Sequence, residues 1–362
     1  MVGEITDSLL QGAWWRHTDG KFYPCQAHQG PVSLGEALRA QEFLRIVKAE
    51  IDPHLEARES RTANYEDLYA AVLQIVQDET FEIINPMINR SIAAIKAASE
   101  HLYEGQEHHI DKNAFASLAD RACDLVQWAV YHNLAKAKAP VSLELIADVA
   151  ANVEVTDIFT LNHDPLIERQ LAARGIPFSD GFGDKKGDAR IYGAKWDGKP
   201  VRVLKLHGST NWYLFRFPEW DQFASVDTNQ GYAKDENGKL LDDLSQKPMF
   251  LTGTTVKEQA YGVGLVGEIF SKFREVLSNH HTLICCGYGW GDKGINIRLG
   301  QWLRDAKENR IIILHGGSKD EILGKRFWYW RWQEYAAAGK VVLVPRWFAG
   351  CTLADLEPYF DM

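Results

Sequence analysis

Long apolar runs are missing from this 362-residue chain. The longest, near Leu283–Cys286, is interrupted by glycine and falls far short of the ~20 residues that a bilayer-spanning helix needs. No basic segment followed by an apolar stretch opens the sequence, so a secretory leader is not expected. Paired cysteines are missing too. Cys25, Cys123, Cys285, Cys286 and Cys351 form no Cys-x-x-Cys sets, which argues against a structural zinc ribbon and leaves no disulfide framework. A reducing, cytoplasmic location is the expectation. Positive charge is in deficit: 40 Lys and Arg stand against 49 Asp and Glu, for a formal charge of -9. Such a surface has no general attraction for a phosphate backbone, and no long Lys/Arg cluster offers a local one. No internal repeat is visible.

What is present is enough apolar material, 46 % of residues, for a substantial core. It suits one large domain with an added helical part, or two closely packed domains. The first thirty residues carry Trp14, Trp15, Phe22 and Tyr23 between Gly12, Gly20 and Gly30, and read as an aromatic patch on the edge of the core. From Leu34 to about Ala139 the periodicity turns helical. Leu68, Val72, Ile75 and Val76 recur at spacings of three and four, as do Ile84, Ile88, Ile92 and Ile95, and then Cys123, Val126, Val130 and Leu134. After Pro140 the character changes. Short apolar strands are expected at Asp157–Leu161, Val201–Leu204, Thr282–Cys286, Arg310–Leu314 and Val341–Val344, separated by helices. That alternation points to an α/β sheet buried on both faces. The expected division is 1–139, an irregular segment and helical module integrated with the fold, and 140–362, the principal sheet region. Phe215–Lys247 reads as a polar, irregular excursion over a cleft.

Three polar loops follow expected strands. In Thr160-Leu161-Asn162-His163-Asp164-Pro165, the Asn162 amide can donate and accept, and Asp164 can hold a carboxamide, a hydroxyl or a positive centre. An Asx turn capping the next helix accounts for the same residues equally simply. In Lys205-Leu206-His207-Gly208-Ser209-Thr210-Asn211-Trp212, His207 suits a contact to ribose hydroxyls and a proton acceptor near neutral pH, and Gly208 permits close backbone approach, although a histidine there also serves structural hydrogen bonds. Gly287-Tyr288-Gly289-Trp290-Gly291-Asp292-Lys293-Gly294-Ile295-Asn296 carries four glycines. Its backbone N–H groups can meet phosphate, Asp292 can bind ribose hydroxyls, and Asn296 can hold either the loop or a ligand. A glycine-rich structural turn is the competing account. Thr252-Gly253-Thr254-Thr255 lines the same cleft or forms a plain turn.

Taken in order, these segments resemble the sirtuin-like NAD-consuming proteins, and in particular their bacterial antiphage-defence branch. Thr160-Leu161-Asn162-His163-Asp164 is similar to that family's Thr-x-Asn-x-Asp motif, and Leu206-His207-Gly208-Ser209 to its Leu-His-Gly segment. Gly253-Thr254 and Cys286–Asp292 continue the series, and Asn64-Tyr65-Glu66-Asp67-Leu68 resembles a helical start of the same proteins. The resemblance runs over roughly residues 60–315. It implies a Rossmann-like, mostly parallel, doubly wound NAD-binding sheet with an additional helical module. It also implies cleavage of NAD, as substrate, to nicotinamide and ADP-ribose, which depletes NAD in antiphage defence. Asn162, His207 and Asp164 would be catalytic. Thr160, Gly208, Ser209, Gly253, Thr254, Gly287, Tyr288, Gly289, Asp292 and Asn296 would line the NAD site, with Gly287, Tyr288 and Asp292 on the adenosine side. A homo-oligomer or a defence-system protein partner is implied; nucleic acid, membrane and metal are not.

The chain departs from the resemblance twice. It has no four-cysteine zinc module, so no structural zinc is expected and protein deacylation is disfavoured. It also lacks the early Gly-Ala-Gly-x-Ser phosphate loop; Gly12-Ala13-Trp14-Trp15 puts indoles where small residues admit a diphosphate. A non-catalytic nucleotide sensor or complex-forming defence subunit, and an NAD-dependent transferase or deacylase, therefore stay open beside the hydrolase.

Overall fold

The computed structural model describes residues 2–12, 15–16, 22–23, 33–82, 85–103, 113–135, 143–152, 156–217, 220–226, 233–245, 247–253, 257–318, 321–322 and 331–359. The chain groups into two compact units, Met1–Lys136 with Thr252–Val256, and Ala137–Leu251 with Lys257–Met362.

The first unit is helical. It holds α1 (Val2–Gln11), α2 (Leu34–Glu59), α3 (Tyr65–Glu79), α4 (Asn89–Ala98), α5 (Glu100–Tyr103) and α6 (Ala114–Ala135). A two-residue antiparallel ribbon, β1 (Trp15–Arg16) with β2 (Phe22–Tyr23), precedes α2; the rest of the N-terminal aromatic patch lies outside the described residues. The sequence periodicity becomes buried stripes. Leu68, Val72, Ile75 and Val76 on α3 and Cys123, Val126, Val130 and Leu134 on α6 are all buried. Asn64 opens α3 with a reciprocal cap: its Oδ1 accepts from the backbone N–H groups of Glu66 and Asp67, and Asp67 Oδ2 accepts from Asn64 N. Of the isoleucine series, Ile92 and Ile95 are buried on α4, Ile88 precedes that helix, and Ile84 lies outside the described residues.

The second unit is α/β. Its helices are α7 (Glu144–Asn152), α8 (Leu166–Ala173), α9 (Lys257–Ala260), α10 (Gly264–Leu277), α11 (Lys293–Asp305), α12 (Trp332–Ala337) and α13 (Leu353–Leu356). One parallel sheet has the order β3-β7-β4, where β3 is Thr156–Thr160, β4 is Phe178–Ser179 and β7 is Val201–Lys205. A second parallel sheet has the order β11-β12-β13, with β11 (Thr282–Cys286), β12 (Arg310–Leu314) and β13 (Val341–Val344). Successive side chains of a strand point to opposite faces, and both faces are used here. Val201 and Val203 pack with Ala150 of α7 and Leu171 of α8, and Ile312 and Leu314 pack with Leu145. Their neighbours Leu204, Ile311 and Ile313 turn the other way, into one cluster with Leu265, Ile269 and Phe273 of α10 and Leu299 and Leu303 of α11. Burial on both faces is why these strands read as continuous apolar runs.

The expectation of a mostly parallel sheet needs correcting. The largest sheet is five-stranded and antiparallel, in the order β10-β8-β9-β6-β5. Its strands are β5 (Gly181–Lys186), β6 (Ala189–Lys195), β8 (Trp212–Arg216), β9 (Asp221–Val226) and β10 (Asp242–Asp243). Two of its pairings join strands adjacent in sequence, β5 with β6 and β8 with β9, a linkage that a tight turn allows only between antiparallel partners. Phe215–Lys247 is therefore not simply an excursion. It contains β9, β10 and the end of β8, and Phe215, Ala224, Val226, Ala233 and Leu241 build a small core of their own with Tyr213 and Ala189.

Candidate functional site

The loops after β3 and β7 lie side by side because those strands pair in register up to Thr160 and Lys205. Leu206 N–H donates to Thr160 O at 3.0 Å, and Thr210 N–H to His163 O at 2.8 Å. Ser209 Oγ lies 3.0 Å from His163 O and 2.7 Å from Asn211 Oδ1, and its own N–H donates to Met249 O. Thr160 Oγ1 accepts from Asn162 N at 3.1 Å. Thr160 and Ser209 thus hold the two loops together through their own polar groups.

Within this frame Asn162 is exposed, and its side-chain amide makes no hydrogen bond among the described residues. The neighbouring cap falls to Asp164, whose Oδ1 accepts from Leu166 N at 3.1 Å at the start of α8. His163 is buried against Phe250, ring centroids 4.8 Å apart, and 6.1 Å from the ring of His207. Burial first, and then the positive charges of His207, Lys257 and Lys205, push its imidazole well below the usual histidine range. Neutral His163 is a packing group.

Gly208 has φ of +78°, and a Cβ there would stand 2.3 Å from Met249 O. Only glycine lets the backbone run this close to the strand-like segment at Phe250, which it bridges. His207 is buried, at 3 % exposure. Its Nε2 lies 3.0 Å from Asp292 Oδ2 and 2.6 Å from Tyr261 Oη, while Tyr261 donates to the same Asp292 oxygen at 2.7 Å. The third loop therefore reaches His207 through Asp292. That residue's other oxygen, Oδ1, caps α11 by accepting from Ile295 N at 3.0 Å. Burial pushes the Asp292 carboxyl up. Hydrogen bonds from His207, the Ile295 backbone and Tyr261 outweigh it and hold the group down at about 2.

The remainder of the third loop is braced from within. Asn296 Oδ1 accepts from Tyr288 Oη at 2.8 Å, and Asn296 Nδ2 donates to Trp290 O at 2.8 Å, so Asn296 holds the loop. Trp290 is buried with φ of +57°, a strained conformation for a bulky residue. Hypothetical Cβ atoms at Gly287, Gly289 and Gly291 meet no described residue within 4 Å, so the backbone there is open among the described residues. Gly253 groups with the helical unit, and Thr254 lies outside the described residues.

Two residues were given no role from the sequence. Tyr261 lies in a segment with no motif, and Gly294 makes room for it, since a Cβ there would stand 2.6 Å from its ring. Lys205 looks like the polar end of a strand, yet it is 1 % exposed. Its Nζ donates to Asp164 O and lies 3.4 Å from Glu168 Oε1. It fastens the loop of Asn162 and Asp164 from beneath.

Residues 156–335 match the SIR2-like domain family. This stretch is a SIR2-like domain. It includes all three loops, Tyr261 and Lys205, and the fold around it is α/β with additional helices. No curated protein matches the chain. Among the described residues no helix is long and apolar enough to cross a membrane, and no three His, Cys, Asp or Glu side chains gather as a metal site. Family membership is consistent with NAD-related chemistry in general.

Proposed function

We propose that the SIR2-like domain cleaves the nicotinamide–ribose bond of NAD by hydrolysis, giving nicotinamide and ADP-ribose. The observation that carries this reading is the pairing of an exposed, uncommitted Asn162 amide with a buried His207 in adjoining loops at the carboxyl ends of two parallel strands, β3 and β7. Crevices at such strand ends are the usual ligand sites of open α/β sheets. The open backbone at Gly287, Gly289 and Gly291 suits a nucleotide's phosphates.

The nicotinamide of NAD is already cationic, so the protein has little need of a strong nucleophile. The C1′–N bond breaks and its electron pair returns to the nicotinamide ring. Water's oxygen bonds to C1′, and its proton passes to His207 and then to solvent. Asn162 orients the ribose or the attacking water, and Asp164, itself a helix cap, keeps that loop in shape. Incubation with NAD should yield nicotinamide and ADP-ribose in equal amounts, and His207→Ala should lower turnover about 10²- to 10⁴-fold while the protein stays folded. NAD that remains intact although bound would defeat hydrolysis. It would favour the sensor reading, which the missing early Gly-Ala-Gly-x-Ser loop supports. Self-association and a role in antiphage defence belong to the proposal through the resemblance alone; light scattering and infection of cells carrying His207→Ala test them.

A further inference from the structure

His207, Tyr261 and Asp292 form a closed triangle of polar atoms, with sides of 2.6, 2.7 and 3.0 Å. Three close approaches need hydrogens to separate their lone pairs. An ionised Asp292 has none, and a phenolic Tyr261 has one, which it donates to Asp292 Oδ2. If His207 Nε2 were bare, its lone pair would face the carboxylate oxygen 3.0 Å away with nothing between. A hydrogen on Nε2, shared between Tyr261 Oη and Asp292 Oδ2, satisfies all three sides. Nε2 therefore carries hydrogen in both the neutral and the protonated ring, and Nδ1 is the nitrogen that titrates.

We propose that Asp292 and Tyr261 are positioning residues for His207: they fix its Nε2–H tautomer, lock the ring's orientation and stabilise the imidazolium formed when it accepts a proton. This deepens the hydrolase reading and rests on it for the proton's origin, but not for the state of the ring. A carboxylate behind an imidazole is a general device for fixing the tautomer and raising the basicity of the far nitrogen. The clamp is itself held. Asp292 is anchored by capping α11, and Tyr261 stacks on Phe270 with centroids 4.3 Å apart and planes 13° off parallel. Among the described residues, neutral His163 also stands 6.1 Å from His207, and Lys257 and Lys205 are close enough to His163 to act on it. These cations oppose the imidazolium, and Asp292, at 3.0 Å, favours it.

Two variants keep the surroundings intact. Asp292→Asn preserves the helix cap, because Asn caps as well as Asp, and Tyr261→Phe preserves the stack on Phe270. Nitrogen-15 NMR of the histidine rings, recorded against pH in the full chain, reads tautomer and titration midpoint without any need for NAD. Wild type should show the Nε2–H form. Asp292→Asn should lower the His207 midpoint by about one pH unit or more and mix the tautomers, and Tyr261→Phe should do so to a lesser degree. Where NAD is turned over, kcat should fall about 10- to 100-fold in Asp292→Asn with KM little changed, and the acidic limb of the pH profile should follow the NMR midpoint. A folded Asp292→Asn protein with the wild-type midpoint and tautomer would overturn the proposal even if NAD is hydrolysed. Absence of turnover with the predicted ring shifts would sink the hydrolase reading and leave the clamp standing.

Discussion

Replacing Lys205 by Met tests how the Asn162 loop is secured. Lys205 is 1 % exposed, and its ammonium meets the Asp164 carbonyl and the Glu168 carboxylate, whose side chain retains 13 % exposure. Removing one member of a buried pair strands the other charge, at about 3–5 kcal/mol; the lost bond to Asp164 O adds about 1 kcal/mol. A loss of this size is a large share of the ~5–15 kcal/mol that stabilises an ordinary domain. Among the described residues Glu168 has no second refuge, since its Oε2 is buried there without a hydrogen-bond partner. Burial already pushes its pKa up, with Lys205 pulling the other way, so the variant should push it further. A carboxyl raised in the folded state contributes stability below its unfolded pKa of about 4.3 and loses it as pH rises through the folded value. Lys205→Met should therefore be less destabilised near pH 5 than near pH 8. Urea unfolding at both pH values measures this, and adding Glu168→Leu should recover most of the loss at pH 8. A Lys205→Met protein within about 1 kcal/mol of wild type at pH 8, with no pH dependence, would refute the reasoning.

Three further outcomes are expected. Gly208→Ala should lose about 1–3 kcal/mol in thermal or urea unfolding, because the residue sits at φ +78° with a Cβ 2.3 Å from Met249 O; a neutral effect would mean that this loop relaxes freely. Asn162→Ala should stay within about 0.5 kcal/mol of wild-type stability, since the exposed amide bonds to nothing described and the cap is Asp164's, yet NAD turnover should collapse; a large loss of stability would instead restore Asn162 as a cap. The Asp157 side chain is buried beneath Arg202 and His280, at 2.5 Å from each, and their hydrogen bonds outweigh burial to lower its pKa. Its contribution is present above the unfolded value and lost as pH falls through the folded one, so Asp157→Asn should reduce stability at pH 7 and flatten the acid limb of a Tm-against-pH curve.

Much of this protein is written locally. Val201, Val203 and Leu204, or Arg310–Leu314, announce strands because a strand buried on both faces must be apolar at nearly every position, and Leu68, Val72, Ile75 and Val76 announce a helix by their spacing. The three polar loops were legible for the same reason: each is a contiguous motif that begins where an apolar run stops. What the tertiary structure alone decided is which of those loops meet, and through which atoms. Asp292 reads as a ribose-binding residue beside glycines, but it lies against His207, 85 positions earlier in the chain. Tyr261 belongs to no motif, and the glycine at 294 leaves room for its ring beside them. Lys205 stands in the sequence only as the first residue of a polar loop, and the structure makes it a buried counter-charge to Glu168. The antiparallel sheet hid in a stretch too polar and too interrupted to show a clean period. Sequence pattern records which face of an element is apolar; it does not record the partner across the fold, and hydrogen-bonded side chains are chosen by that partner.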